Sequence, residues 1–375
     1  MNGIVMLINE FTPISGGTEK QAERLAAFMA KNGKKVWVIT RRFPGLAAKE
    51  EYQGFTIIRP PSFGPGKLKT FSFVLGSLWH LWQLRKEYEI LHAHMLFGAA
   101  FSALLTGKLL KKGTLVKLGS SGETGEIAVS RRSSRGRVRL ALLRRWADRV
   151  VVLDKKMYVE AVSVGIPAKK ITRISNGIDA AQFVLEKSKK NAEKVEILFI
   201  GRFVPEKSLP TLLNAYQKAL QICPSLHLTL VGDGVEREAL ENLAEELGVT
   251  QEITFAGKQS DVRPYLAAAD IFVLPSKTEG MSNALLEGMA AGLPCLATPV
   301  GATPRVLENG KHGMLLPVGD VDAWAQALAD LGRNPQKRVA LGKAARERIL
   351  QEYDFSIIGA RYLALYEEIA KGAQP

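Results

Sequence analysis

Short apolar runs separated by longer, periodically apolar stretches organise this chain. Runs at 4–8, 36–40, 55–58, 90–91, 115–118, 150–153 and 171–174 read as strands. Helical periods at 19–31, 71–86, 99–111, 138–146 and 156–164 fall between them. The plan then repeats, with strands at 196–200, 227–231, 253–256, 271–274, 295–298 and 314–316 spaced by helices. Strands that are apolar along their whole length and alternate with helices predict parallel sheets buried on both faces. At 375 residues the chain exceeds one ordinary core. A polar turn at 176–179 followed by a charged stretch at 186–194 marks a boundary between two halves. The fold class predicted is α/β, with two doubly wound parallel-sheet domains covering 1–178 and 179–354.

Composition narrows the class. With 46% apolar and 23% charged residues the chain reads as globular, not disordered. Its longest charge-poor apolar stretches, 71–84 and 95–107, fall short of the ~18 residues of a membrane-spanning helix. The first residues lack a basic segment and read as a strand, not a secretion signal. Two cysteines and five scattered histidines give no disulfide framework, zinc spacing or HExxH pattern. A reduced, cytoplasmic location is the expectation. Charge is lopsided: residues 1–180 hold 30 Lys and Arg against 13 Asp and Glu, whereas 181–375 hold 21 against 24. Eight arginines and a single acid occupy 131–149. That asymmetry points to an anionic partner of the first half, with a merely solvated basic helix as the plainer reading.

Most of the chemistry is concentrated in residues 275–294. The strand at 270–274 runs into a polar turn holding Glu279, and a helix then starts at Ser282-Asn283 and carries Glu287. Eight residues amount to ~80° of net rotation on a helix, so both carboxylates can border one cleft. The amides of 283–285 at the helix start suit phosphate. Carboxylates beside an anion seat fit a ligand with both hydroxyls and phosphates. The run Glu279-Gly280-Met281-Ser282-Asn283-Ala-Leu-Leu-Glu287-Gly-Met-Ala-Ala-Gly-Leu-Pro294 resembles the Glu-x7-Glu motif of retaining, nucleotide-sugar-dependent glycosyltransferases of the GT-B fold, the family 4 group. The resemblance spans nearly the whole chain. It implies two domains facing a cleft, with a last helix at 355–372 returning to the first, acceptor-side domain.

Further residues fit that reading. Arg202 and Lys207 follow the strand at 197–200, where fixed cations would stabilise a departing diphosphate. They match the family's Gly-Arg…Lys element, although Ser208 stands where the family usually has Gly. Gly16 and Gly17, in the loop Ser15–Glu19 after strand one, allow close backbone approach to a ligand and match the family's Gly-Gly-x-Glu loop. His92 and His94 fall on one side of a strand; the resemblance implies that His94 reaches the donor sugar. It also implies Glu279 on sugar hydroxyls, Glu287 on the ribose, and the nucleobase held by backbone near Val262. The polar loop 118–126 departs from the His-containing turn of many relatives. Gly232-Asp233-Gly234 reads as structural.

The expected reaction is therefore glycosyl transfer from a nucleotide sugar, with UDP or GDP as the carrier, to a hydroxyl acceptor, with neither metal nor further cofactor. Arg131, Arg132, Arg135 and Arg137 suggest docking of the acceptor side at an anionic membrane surface, with Phe71, Phe73, Leu75, Leu78, Trp79 and Trp82 as a possible apolar supplement if they do not simply pack on the sheet. The partner expected is a lipid-linked or anionic glycan acceptor at the inner face of a membrane. A nucleotide-sugar epimerase on the same scaffold is the rival. A nucleic-acid binder is disfavoured, since 131–149 holds one aromatic, Trp146, and no recognised module.

Overall fold

The computed structural model describes residues 3–13, 16–122, 125–186 and 194–373. Ser15, Glu123 and most of the charged stretch 186–194 lie outside the described residues. The chain divides into two compact units, Met1–Asn176 with Ser356–Pro375, and Gly177–Phe355.

The first unit holds strands β1 (Gly3–Leu7), β2 (Lys35–Ile39), β3 (Lys49–Tyr52), β4 (Phe55–Ile58), β5 (Ile90–His94), β6 (Gly113–Lys117), β7 (Arg149–Val152) and β8 (Ile171–Arg173). Their order is β3-β4-β2-β1-β5-β6-β7-β8, parallel except for β3 against β4. β1, β5 and β6 are buried at every residue; β1 accordingly reads as an unbroken apolar run, whereas β5 also buries His92 and His94, and β6 buries Thr114 and Lys117. The chain winds outward from β1 to β2 and then returns to place β5 on the other side of β1. The ends of β1 and β5 thus flank a topological switch point, the usual ligand crevice of such sheets. The strand β3, Lys-Glu-Glu-Tyr, carries no apolar run because it is an edge strand, so sequence periodicity gives no sign of it.

Helices Gly66–Gln83, Gly98–Leu110 and Ser134–Trp146 pack side by side in one layer. The last starts four residues earlier than its apolar period, because the Ser133 hydroxyl caps it by accepting from the Gly136 amide (3.1 Å). A short helix, Glu126–Arg131, follows the polar loop at 118–122. The final helix, Phe355–Ala373, lies on this unit through Gly359 against Phe28 and Ile369 against Gly113.

The second unit holds β9 (Val195–Ile200), β10 (Leu226–Val231), β11 (Ile253–Gly257), β12 (Ile271–Leu274), β13 (Cys295–Ala297) and β14 (Met314–Leu315). All are parallel, in the order β11-β10-β9-β12-β13-β14. This is the 3-2-1-4-5-6 winding of a dinucleotide-type sheet, and its switch point lies between the carboxyl ends of β9 and β12. Among the described residues no helix is long and apolar enough to cross a membrane.

Candidate active site

In the second unit, the two loops flanking the switch point carry the candidate residues. β9 delivers Arg202 and, at the end of the turn Pro205–Lys207, Lys207. β12 delivers Ser276 through Ser282 before the helix Asn283–Ala290. The loops are tied to each other. The Lys277 amide donates to Glu206 O (2.8 Å), and Lys207 Nζ donates to Glu279 Oε1 in an ion pair whose side chains are 17% and 11% exposed. Ser276 Oγ donates to the same carboxylate oxygen (2.8 Å). Lys207 and Glu279, 72 residues apart, thus meet at the crevice of the sheet. Arg202, five residues before Lys207 on the same loop, is exposed and makes no ion pair among the described residues.

Neighbouring turns brace this platform. Thr298 Oγ1 donates to Ser276 O (2.5 Å), and the Ala302 amide donates to Gly280 O (2.8 Å). Gly301, at φ +57°, lets that turn press on the backbone of Glu279 and Gly280, where a Cβ would collide with both carbonyls. Gly232 does the same for β9, its α-carbon abutting the Gly201 carbonyl, so the turn 232–234 is a structural brace. Ser208 adopts φ +53°, a left-handed conformation that explains why glycine is the family's usual residue there.

The helix start differs from the expectation in one respect. Ser282 Oγ accepts from the Leu285 amide (3.2 Å), so of the three amides at 283–285 that one is consumed by the cap. Met281 and Ser282 are nearly buried, and Glu287 lies on the helix at 3% exposure. Val262, buried at 8% exposure, follows β11 in the chain at the start of the helix Arg263–Ala268, which packs near β9.

In the first unit, the corresponding crevice holds His94 at the end of β5. Gly16 and Gly17 follow β1 at the start of the helix Gly17–Lys31, which no side chain caps. His92 and His94 stack, with ring centroids 4.1 Å apart. His92 Nδ1 hydrogen-bonds Tyr366 Oη (2.6 Å) on the final helix, whereas both ring nitrogens of His94 are buried without a partner. Paired opposite His94 on β6 is Lys117, 5% exposed, whose Nζ donates to Asn176 Oδ1 (2.9 Å). Burial, reinforced by the Lys117 charge, pushes the His94 imidazole down to about 3. Burial likewise lowers Lys117 to about 8 and holds His92 well below the ordinary histidine range. A neutral imidazole with both nitrogens unpaired is ready to hydrogen-bond a ligand.

Three residues of these sites have no local sequence signal of their role: Ser276, Lys117 and Glu126. The Glu126 carboxylate accepts from the Leu96 amide (2.7 Å) and the Gly119 amide (2.5 Å), tying the loops after β5 and β6. Between them Met95 takes φ +73°, a strained turn that this clamp holds directly after His94.

Arg131, Arg132, Arg135 and Arg137 are exposed at and after the helix Glu126–Arg131, and none forms an ion pair among the described residues. Arg131, Arg137 and Arg144 line an open cavity of about 490 Å3 with Leu140, Ala141 and Val164 along its wall.

The family model for glycosyl transferases group 1 matches residues 181–348, and that for Glycosyltransferase Family 4 matches 15–182. The chain belongs to the group 1 glycosyltransferases. Its two parallel-sheet units are those of the GT-B fold. A lipopolysaccharide core biosynthesis glycosyltransferase, LpsE of Rhizobium meliloti, is 33% identical over 174 residues, 46% of this chain and 50% of that protein. A GDP-mannose-dependent alpha-(1-6)-phosphatidylinositol monomannoside mannosyltransferase of Mycolicibacterium smegmatis is 25% identical over 387 residues, 96% of this chain and 97% of that protein. Among solved structures, Anabaena HepE in complex with UDP and glucose superposes with a TM-score of 0.80 at 18% identity, covering 98% of this chain and all of that one.

Proposed function

We propose that this glycosyltransferase moves a sugar from a nucleotide sugar, with UDP or GDP as the carrier, to a hydroxyl acceptor with retention at the anomeric carbon. The observation that carries the reading is the Lys207–Glu279 pair at the β9/β12 switch point, on the same loop as Arg202. Without a donor, Lys207 neutralises Glu279. When the donor binds, Lys207 and Arg202 turn to the diphosphate, together with the amides at Gly280–Asn283. Glu279 is then free to accept from the sugar hydroxyls, and Ser276 fixes its orientation. Glu287 takes the ribose, and backbone around Val262 the base. Residues 179–354 form the donor side; residues 1–178, to which we also assign helix 355–372, form the acceptor side, and in it His94 and the Gly16–Gly17 turn are assigned to donor sugar and phosphate.

The acceptor oxygen attacks the anomeric carbon on the face from which the phosphate oxygen departs. The glycosidic bond to phosphate breaks, and the acceptor proton passes to that phosphate oxygen. Protein cations stabilise the charge developing there, in place of a bridging metal. Double displacement would need two carboxylates flanking the bond, whereas in this reading Glu287 serves the ribose. The relatives, one in lipopolysaccharide core synthesis and one acting on a phosphatidylinositol mannoside, favour a lipid-linked or anionic glycan acceptor. We accordingly propose a peripheral enzyme on the cytoplasmic face of a membrane.

Glu279→Gln is expected to abolish transfer with little change in melting temperature. Lys207→Met is expected to weaken nucleoside diphosphate binding 10-fold or more, the equivalent of ~1.4 kcal/mol. Titration calorimetry with UDP and GDP, alongside turnover, is the check. Unchanged affinity in Lys207→Met for whichever nucleotide binds the parent protein would refute the phosphate role. Incubating the donor alone tests the epimerase rival, which would yield a new nucleotide sugar without acceptor.

A further inference from the structure

The helix Gly66–Gln83 has two apolar faces, and only one is covered. Phe73, Ser77 and Leu81 pack inward, fully buried, with Ser77 Oγ satisfied by Phe73 O (2.7 Å). On the opposite side Leu68, Phe71, Leu75, Trp79 and Trp82 stand between 51% and 61% exposed. At ~100° per residue these five fall within about 80° of arc, a continuous stripe along the helix. Single exposed apolar residues are ordinary, but a row of this size with two tryptophans is an interaction surface.

Charge decides what covers it. Residues 60–86 contain Lys67, Lys69, Arg85 and Lys86 and no acid. The Arg85 guanidinium stacks on the Trp82 ring (4.6 Å), which fixes a cation at the end of the stripe. The adjoining helix Gly98–Leu110 carries Leu109, 71% exposed, and Lys108, and no acid occurs between residues 90 and 122. Beyond it lies the arginine-rich helix Ser134–Trp146 in the same layer. Pairing this face with a second copy of itself would set cation against cation. A cationic surface with an aromatic stripe fits the headgroup–acyl boundary of an anionic bilayer, where lysines and arginines meet phosphate and tryptophan sits at the interface.

We propose that the Leu68–Trp82 face inserts into the outer part of an anionic lipid leaflet, lying in the plane of the membrane. This rests on the membrane reading above and adds the mode of contact: insertion of aromatic side chains, not surface attraction alone.

The test uses the full-length protein with vesicles of phosphatidylcholine and phosphatidylglycerol. Acyl chains brominated near the headgroup should quench the parent protein strongly, and should quench Trp79→Phe/Trp82→Phe, which keeps the apolar stripe and still binds, far less. Leu75→Ser/Trp79→Ser/Trp82→Ser should partition at least 10-fold more weakly while keeping its circular dichroism and melting temperature. Equal partitioning of the serine variant, or equal quenching of the phenylalanine variant, would overturn insertion. Salt-sensitive binding to anionic vesicles without tryptophan quenching would remove insertion while leaving electrostatic docking in place. A lipid-free dimer that the serine variant dissociates would assign the face to a second copy instead. Failure of the Glu279 experiment would bear on the reaction and not on these outcomes.

Discussion

Keeping His94 neutral inside the first unit couples folding to protons. Its folded value of about 3 lies well below the ~6.5 of an unfolded histidine. Between those values the unfolded chain binds a proton that the folded chain refuses. Stability is therefore full above about pH 6.5 and is lost as pH falls toward 3, at up to ~1.4 kcal/mol per pH unit. His92, displaced in the same direction by burial, adds to the slope. We expect the parent protein to lose about 2 kcal/mol between pH 7 and 5 through His94 alone. His94→Gln should show a shallower decline over the same interval. Urea midpoints at pH 7, 6 and 5 would check this, and identical slopes in both proteins would contradict it.

Among the elements, the turn after β9 shows how local conformation supports chemistry. Ser208 ends the turn Pro205–Lys207 in a left-handed conformation and starts the helix Leu209–Ile222, with its Oγ 3.0 Å from Thr211 Oγ1. A β-branched residue is strained at such a φ, whereas glycine is at ease. Ser208→Val is therefore expected to cost about 2 kcal/mol, and Ser208→Gly to stay within about 1 kcal/mol of the parent. Thermal melts of the two variants would decide, and an undisturbed valine variant would show that the turn can relax. The alternation of strand and helix was legible because parallel strands buried on both faces are mostly apolar, with polar exceptions such as His92, His94 and Lys117. Edge strand β3, with two glutamates and a lysine among its four residues, was not. The Glu-x7-Glu run and Arg202…Lys207 stood out as motifs, since their spacing within one loop and helix is local. The contact between Lys207 and Glu279 was not readable, because it depends on which strand lies beside β9. Glu126 and Lys117 were invisible for the same reason: burial of a charged side chain leaves no trace in its neighbours along the chain.

For the whole molecule, charge is the property that no single element explains. The first 180 residues carry 30 basic against 13 acidic side chains, while the remainder is slightly acidic. In the first unit the arginines at 131, 132, 135 and 137 are exposed and lack acidic partners among the described residues, so their charge is available to a partner. Each basic residue near an anionic leaflet contributes ~1 kcal/mol of attraction, so four are sufficient for reversible docking at low salt. At 0.15 M ionic strength the screening length is ~8 Å, so only residues close to the surface retain that attraction. Replacing Arg131, Arg132, Arg135 and Arg137 by Ser should therefore lower binding to phosphatidylglycerol-containing vesicles by 10-fold or more. Raising the salt should weaken the parent protein more than the variant, since the variant has less electrostatic attraction to lose. Co-sedimentation over a salt series provides the measurement. If parent and variant showed equal binding and equal salt dependence, the arginines would be solvated bystanders and docking would rest on the Leu68–Trp82 face and the cations along it.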